Sequence, residues 1–114
     1  MERIKRYHKA IVEVMEEVMD SFKNSENSEY DFHPIFDKTN HRYQLQAVGW
    51  ERERKRIFNI FFHIDIIDNK IWIQQDNLEY SVAERLVEKG IPKKEIVLAY
   101  FPEFHRQHTE YAVA

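Results

Sequence analysis

The sequence predicts an α+β fold in which a long N-terminal helix packs on a four-stranded antiparallel meander sheet, followed by a second helix and a short C-terminal strand. Three observations carry this. Apolar residues recur at helical spacing through residues 3 to 22. The period then switches to two from Glu29 to Asp76. Asp68 and Asn69 separate two alternating runs at the spacing of a two-residue hairpin. At 114 residues the chain has room for one domain, spanning residues 1–114, and one modest core.

The first helix places Ile4, Tyr7, Ile11, Val14, Met15, Val18 and Phe22 on one face. Its charges run against the helix dipole: Arg3, Lys5, Arg6 and Lys9 come first, then Glu13, Glu16, Glu17 and Asp20. That order costs roughly 0.3 to 1 kcal/mol per charge, so packing must hold the helix. The polar stretch Lys23-Asn24-Ser25-Glu26-Asn27-Ser28 ends it and reads as a loop.

Strands are expected at about 29 to 37, 41 to 50, 56 to 67 and 70 to 75. Asp68 and Asn69 both tolerate the positive φ of a tight hairpin turn, which pairs Ile67 with Lys70, Ile66 with Ile71, Asp65 with Trp72, Ile64 with Ile73 and His63 with Gln74. Strict alternation then puts Phe58, Ile60, Phe62, Ile64, Ile66, Ile71 and Ile73 on the helix side. Asn59, Phe61, His63, Asp65, Ile67, Trp72, Gln74 and Asp76 fall on the other. A hairpin across Glu51 to Arg56 adds Tyr43, Leu45 and Ala47 to the core and Gln44, Gln46, Val48 and Trp50 to the opposite face. In the first strand, Phe32 and Phe36 point to the core, with Asp31, His33 and Ile35 opposite. The second helix follows from Val82, Ala83, Leu86 and Val87, with Ser81 as its cap and Gly90 as its stop. Pro92 opens a short turn, and Ile96 to Phe101 reads as a buried strand halted by Pro102.

Composition narrows the function. Lys and Arg total 17 against 20 acidic residues, a net charge of -3, so any grip on nucleic acid must be local. Without cysteine there is no disulfide framework, thiolate metal site or cysteine nucleophile. No apolar run approaches the ~20 residues of a membrane span, and the charged start lacks the apolar stretch of a signal peptide, so a cytoplasmic location with no membrane partner is expected. Gly49 and Gly90 are the only glycines, which rules out a glycine-rich phosphate loop. No serine sits in a nucleophile motif.

Three features merit weighing. His63 and Asp65 point the same way from one strand, the minimum for a general base or two metal ligands. Further ligands would have to come from Asp76, His33 or Asp31, so a structural hydrogen-bonded pair is the expectation, with no catalytic residue, metal or cofactor assigned. Arg52, Arg54, Lys55 and Arg56 beside Trp50 suit nucleic-acid contact, but Glu51 and Glu53 make a solvated turn the simpler reading. The mixed sheet face is an expected partner-binding surface, with Gln44, Gln46, Trp50, Phe61, Trp72 and Gln74 as its contact residues. Coverage by the chain's own tail is the competing reading. One helical layer cannot coat both faces of a sheet, so a homodimer or a hetero-partner is expected.

Several stretches in order resemble one family: Val48-Gly49-Trp50, His63-Ile64-Asp65-Ile66, Lys70-Ile71-Trp72-Ile73-Gln74, Gly90-Ile91-Pro92-Lys93, Glu95-Ile96-Val97-Leu98-Ala99 and Tyr111-Ala112-Val113-Ala114. They are similar to the XisI family, the fdxN element excision controlling factors of cyanobacteria. Where such relatives read Asp-Gly-Thr-Glu, this chain has Asp76-Asn77-Leu78-Glu79, and its Asp68-Asn69 turn lacks the usual glycine. The resemblance implies an accessory role in excising a DNA element by a site-specific recombinase during heterocyst differentiation. It also implies a XisH-like companion and supplies no catalytic residue. The residues alone leave open a small enzyme using His63 and Asp65, and a DNA-binding regulator using the basic hairpin.

Overall fold

The computed structural model describes residues 2–23 and 30–114. The expected loop at 24–28 and the start of the first strand at Glu29 lie outside the described residues. Helix α1 (Glu2–Lys23) buries Tyr7, Ala10, Ile11, Val14, Met15 and Val18, the stripe its spacing requires. Strands β1 (Tyr30–Asp37), β2 (Arg42–Glu51), β3 (Lys55–Ile67) and β4 (Lys70–Asp76) form the antiparallel meander. Helix α2 (Val82–Glu88), a 3-10 turn (Lys93–Glu95), strand β5 (Ile96–Leu98) and helix α3 (Glu103–Arg106) complete the chain.

The last strand joins the same sheet, which is therefore five-stranded and mixed, in the order β1-β2-β3-β4-β5 with β5 parallel to β4. Parallel neighbours need a crossover, and α2 provides it. Ser81 caps α2 by accepting from the Glu84 N–H at 3.3 Å, and Gly90 follows at φ 96°. The reversed charge order of α1 is answered by tertiary pairing. Arg6 meets Glu95 at 2.8 Å, Arg85 lies 3.8 Å from Glu17, and Lys89 pairs with Glu13 and Glu17. Such partly exposed pairs add little stability individually, but they fix how α2 lies along α1.

The Asp68-Asn69 turn forms as expected, with φ of 50° and 62°, and sets Ile67 opposite Lys70, Ile66 opposite Ile71, Asp65 opposite Trp72 and Ile64 opposite Ile73. Positive φ is costly for a side-chain-bearing residue and free for glycine. Asn69→Gly should therefore stabilise the protein by about 0.5 to 1 kcal/mol, read as a melting temperature higher by a few degrees. An unchanged or lower value would show that Asn69 relaxes its backbone by some other route.

Strict alternation fails twice along β3. Between β2 and β3 the register runs Leu45 to Phe62 and then Gln46 to Ile60, leaving Phe61 as an extra residue. Between β3 and β4 it runs Ile64 to Ile73 and then His63 to Gln75, leaving Gln74 extra. A bulge of one residue exchanges the faces of everything beyond it. The expected placement of Phe58 and Ile60 in the core is thus corrected: Phe58 is 62% exposed and Ile60 half-buried on the far face, while Ile57 is buried in their stead. Phe61, expected on the far face, packs on the helix side with Phe22 at 5.3 Å and Phe32 at 5.5 Å. Gln74 does not face His63. Phe36 keeps the helix side but stays 40% exposed at the sheet edge, its ring against Tyr43 and His8.

Candidate functional site

The sheet face away from α1 mixes apolar and polar residues, several of them exposed. Cross-strand pairing arranges it in rows. Trp50 lies opposite Arg56. Asp31, Val48 and Phe58 follow, then His33, Gln46 and Ile60, then Ile35, Gln44, His63 and Gln75, and finally Asp37, Arg42, Asp65 and Trp72. Its two ends are finished differently.

At the β4–β5 end the chain covers itself. Arg106 sits 5.5 Å over the Trp72 ring, donating from Nε to the Phe101 carbonyl at 2.8 Å and from a terminal nitrogen to the Val113 carbonyl at 3.1 Å. The Ala112 N–H donates to the Ile96 carbonyl at 2.9 Å, and Val97, beside Trp72, is fully buried. Trp72 is half-buried, and its indole Nε1 is shielded without a hydrogen-bond partner among the described residues. The tail thus takes part of the surface that the sequence suggests for a partner.

The β1–β3 end is open. Trp50 is 50% and Ile35 42% exposed; together with Phe58, Ile60 and Val48 they make an apolar strip next to Gln44 and Gln46. Of the expected contact residues, Gln44, Gln46 and Trp50 belong to this strip, Trp72 lies under the tail, Phe61 faces the helices and Gln74 is the bulge residue. Sequence reasoning missed Phe58 and Ile60. The adjacent apolar pairs Ile57-Phe58 and Phe61-Phe62 were the available signal, because they let either parity be read as core.

Between the two ends lies a polar network. His63 places Nε2 2.9 Å from Asp65 Oδ1 and Nδ1 3.0 Å from Gln44 Oε1. Gln74 Nε2 donates to Asp65 Oδ2 at 3.2 Å, and Arg42 lies 3.8 Å from Asp65. Both imidazole nitrogens are engaged. The neutral ring satisfies this arrangement when the Gln44 amide turns its NH2 toward Nδ1, and the protonated ring satisfies it as drawn. The network therefore ties three strands together, β2 to β3 through Gln44 and His63 and β4 to β3 through Gln74 and Asp65. Among the described residues no group of three or more histidines and carboxylates is placed to hold a metal. Asp76 instead accepts from the N–H groups of Leu78 and Val82, bracing the entry to α2.

In the basic hairpin Arg52 and Glu53 both have positive φ, and the Arg56 guanidinium lies 5.3 Å from the Trp50 ring. Trp50 is thereby held on the sheet surface by its cross-strand neighbour. No helix among the described residues is long and apolar enough to cross a membrane.

Fold and surface together define a helix-on-sheet α+β protein whose second sheet face is closed by its own tail at one end and left open and aromatic at the other. The XisI protein family model matches residues 1–113, and the chain belongs to the XisI family. A crystal structure of a XisI-like protein from Anabaena variabilis is 31% identical, superposes with a TM-score of 0.75 and covers 96% of this chain and 99% of its own. That of the fdxN element excision controlling factor XisI from the same organism is 27% identical, with a TM-score of 0.77, covering 98% of this chain and 99% of its own. No curated protein matches the sequence significantly.

Proposed function

We propose that this protein is a non-enzymatic accessory factor for excision of a DNA element, acting in the cytoplasm by contact with a XisH-like companion and not as the recombinase. One observation carries the reading: the strip of Trp50, Phe58, Ile60 and Val48 stays uncovered on a chain that folds its own tail over the other half of the same face. Aromatic residues in a polar setting are the usual anchors of protein interfaces. The kinship with a XisI excision controlling factor supplies the process, which in a heterocyst-forming host is differentiation. A homodimer formed through the same strip would compete with the companion.

The test is co-expression with the companion and affinity capture. Trp50→Ala and Phe58→Ala should each weaken capture at least about tenfold, as expected of anchors worth 1 to 2 kcal/mol or more, with melting temperature unchanged. Trp72→Ala should act mainly on stability, since its ring supports the tail. Undiminished capture by both strip variants would overturn the choice of face. A salt-sensitive mobility shift of duplex DNA, lost on substituting Arg54 and Lys55, would instead make the basic hairpin the contact.

A further inference from the structure

The groove between the first half of α1 and the β1–β2 turn is lined by basic and apolar residues. These are Ile4, Lys5 and His8 from the helix and Lys38, His41 and Tyr43 from the turn and β2, around a concavity of about 460 Å³. Residues some thirty positions apart thus bring two lysines and two histidines to one groove, and no carboxylate-bearing residue lines it.

The surrounding charges sharpen this. Lys5, Lys9 and Lys38 form no ion pair with any described residue, whereas Arg3 and Arg6 are drawn toward Glu95. The acid at the end of β1, Asp37, keeps its charge and is hydrogen-bonded within the turn. It accepts from the N–H groups of Thr39 and Asn40 and from the Asn40 amide, and those bonds hold its carboxyl below the usual range. Glu2 is the other acid at this end of the helix. Lysines and histidines lining a concave site favour an anion more than the same residues on a convex surface. The floor is apolar and aromatic: Ile4, the Tyr43 ring and the His8 ring 5.6 Å from it, with Tyr43 Oη held at 2.9 Å by His8 Nδ1. That pairing leaves His8 Nε2 without a partner among the described residues.

We propose that this groove binds a nucleotide, its phosphate between Lys5 and Lys38 and its base or sugar over Ile4 and the His8 ring. Lysines meet phosphate as compact point charges, and the volume suits one nucleotide unit. The nucleotide can be free or part of a single strand. The site is separate from the open sheet face and does not depend on the partner reading above.

The experiment titrates isotope-labelled full-length protein with adenosine monophosphate, a short oligothymidylate and inorganic phosphate, following amide and imidazole resonances at low salt. Saturable shifts centred on Lys5, His8, Lys38 and His41 are expected. The Lys5→Glu/Lys38→Glu variant should weaken binding by about tenfold or more, whereas Arg54→Glu/Lys55→Glu in the distant hairpin should not. Saturation by the mononucleotide assigns a free ligand, and saturation by the oligonucleotide alone assigns a strand. Inorganic phosphate binding as well as either would overturn the nucleotide assignment. So would shifts centred elsewhere, or an unaltered affinity in the Lys5/Lys38 variant.

Discussion

Phe61→Ala should destabilise the protein by about 2 to 4 kcal/mol, whereas Phe58→Ala, three residues earlier in the same strand, should change stability by less than about 0.5 kcal/mol. The contrast follows from the bulge at Phe61. That ring lies among Phe22, Phe32 and the core, whereas the Phe58 ring is mostly in water. Truncating Phe61 removes buried area and leaves a gap that the three-ring cluster cannot close, because Phe22 and Phe32 are fixed to different elements. Truncating Phe58 removes little that folding had buried. Urea titrations of the two variants decide it. The opposite order would mean that β3 alternates without interruption and that Phe58, not Phe61, belongs to the core. Phe58→Ala is also expected to impair partner capture, so a single side chain separates what the fold needs from what the surface does.

The same strand shows where the sequence was legible and where it was not. α1 could be read in full because a stripe at helical spacing has only one face to bury. The Asp68-Asn69 hairpin could be read for four residue pairs, since the turn residues fix the register locally. Beyond those pairs the bulge residues Phe61 and Gln74 break the count. Neither is a glycine or otherwise marks an irregularity, and each parity offers apolar residues to the core. Phe58 and Ile60 were misplaced for this reason. The parallel position of β5 was illegible because it depends on how α2 lies against α1, through Glu13 and Glu17 reaching Arg85 and Lys89. The cover over Trp72 was illegible on similar grounds, since nothing near Trp72 in sequence indicates that Arg106 will lie over it. His63 and Asp65, two apart on one strand, share a face and lie within hydrogen-bond distance at 2.9 Å.

Tyr7→Phe should cost about 1.5 to 3 kcal/mol, the range for a buried hydrogen bond to a charged acceptor. The Tyr7 side chain is fully buried, with its hydroxyl oxygen 2.6 Å from Glu95 Oε1 and 2.9 Å from the Asn69 carbonyl. One hydroxyl proton cannot serve both acceptors. The shorter contact and the negative charge assign it to Glu95, while Arg3 donates to the Asn69 carbonyl at 3.4 Å. The phenylalanine variant keeps the packing and strands one lone pair of a carboxylate that still has Arg6. The loss should therefore stay below the 3 to 5 kcal/mol of a broken buried ion pair. Alkaline pH supplies a second reading of the same bond. Burial, and then the hydrogen bond and charge of Glu95, push the Tyr7 hydroxyl up to about 12, against the opposing pull of Arg3 and Arg6. In the unfolded chain it titrates near 10, so on raising the pH the unfolded state loses its proton first. The stabilisation is intact below about pH 10 and is withdrawn between about pH 10 and 12. Burial also raises Tyr43, Tyr100 and Tyr111, which act in the same direction. The difference between wild type and Tyr7→Phe isolates the contribution of this hydroxyl: the two stability curves should converge as pH approaches 12. A gap that stays constant from neutral pH to 12 would show that the proton is not what the bond to Glu95 depends on. Because Glu95 closes the turn that leads into β5, the variant should also speed hydrogen exchange at Ile96 to Leu98, the strand on which the tail is laid over Trp72.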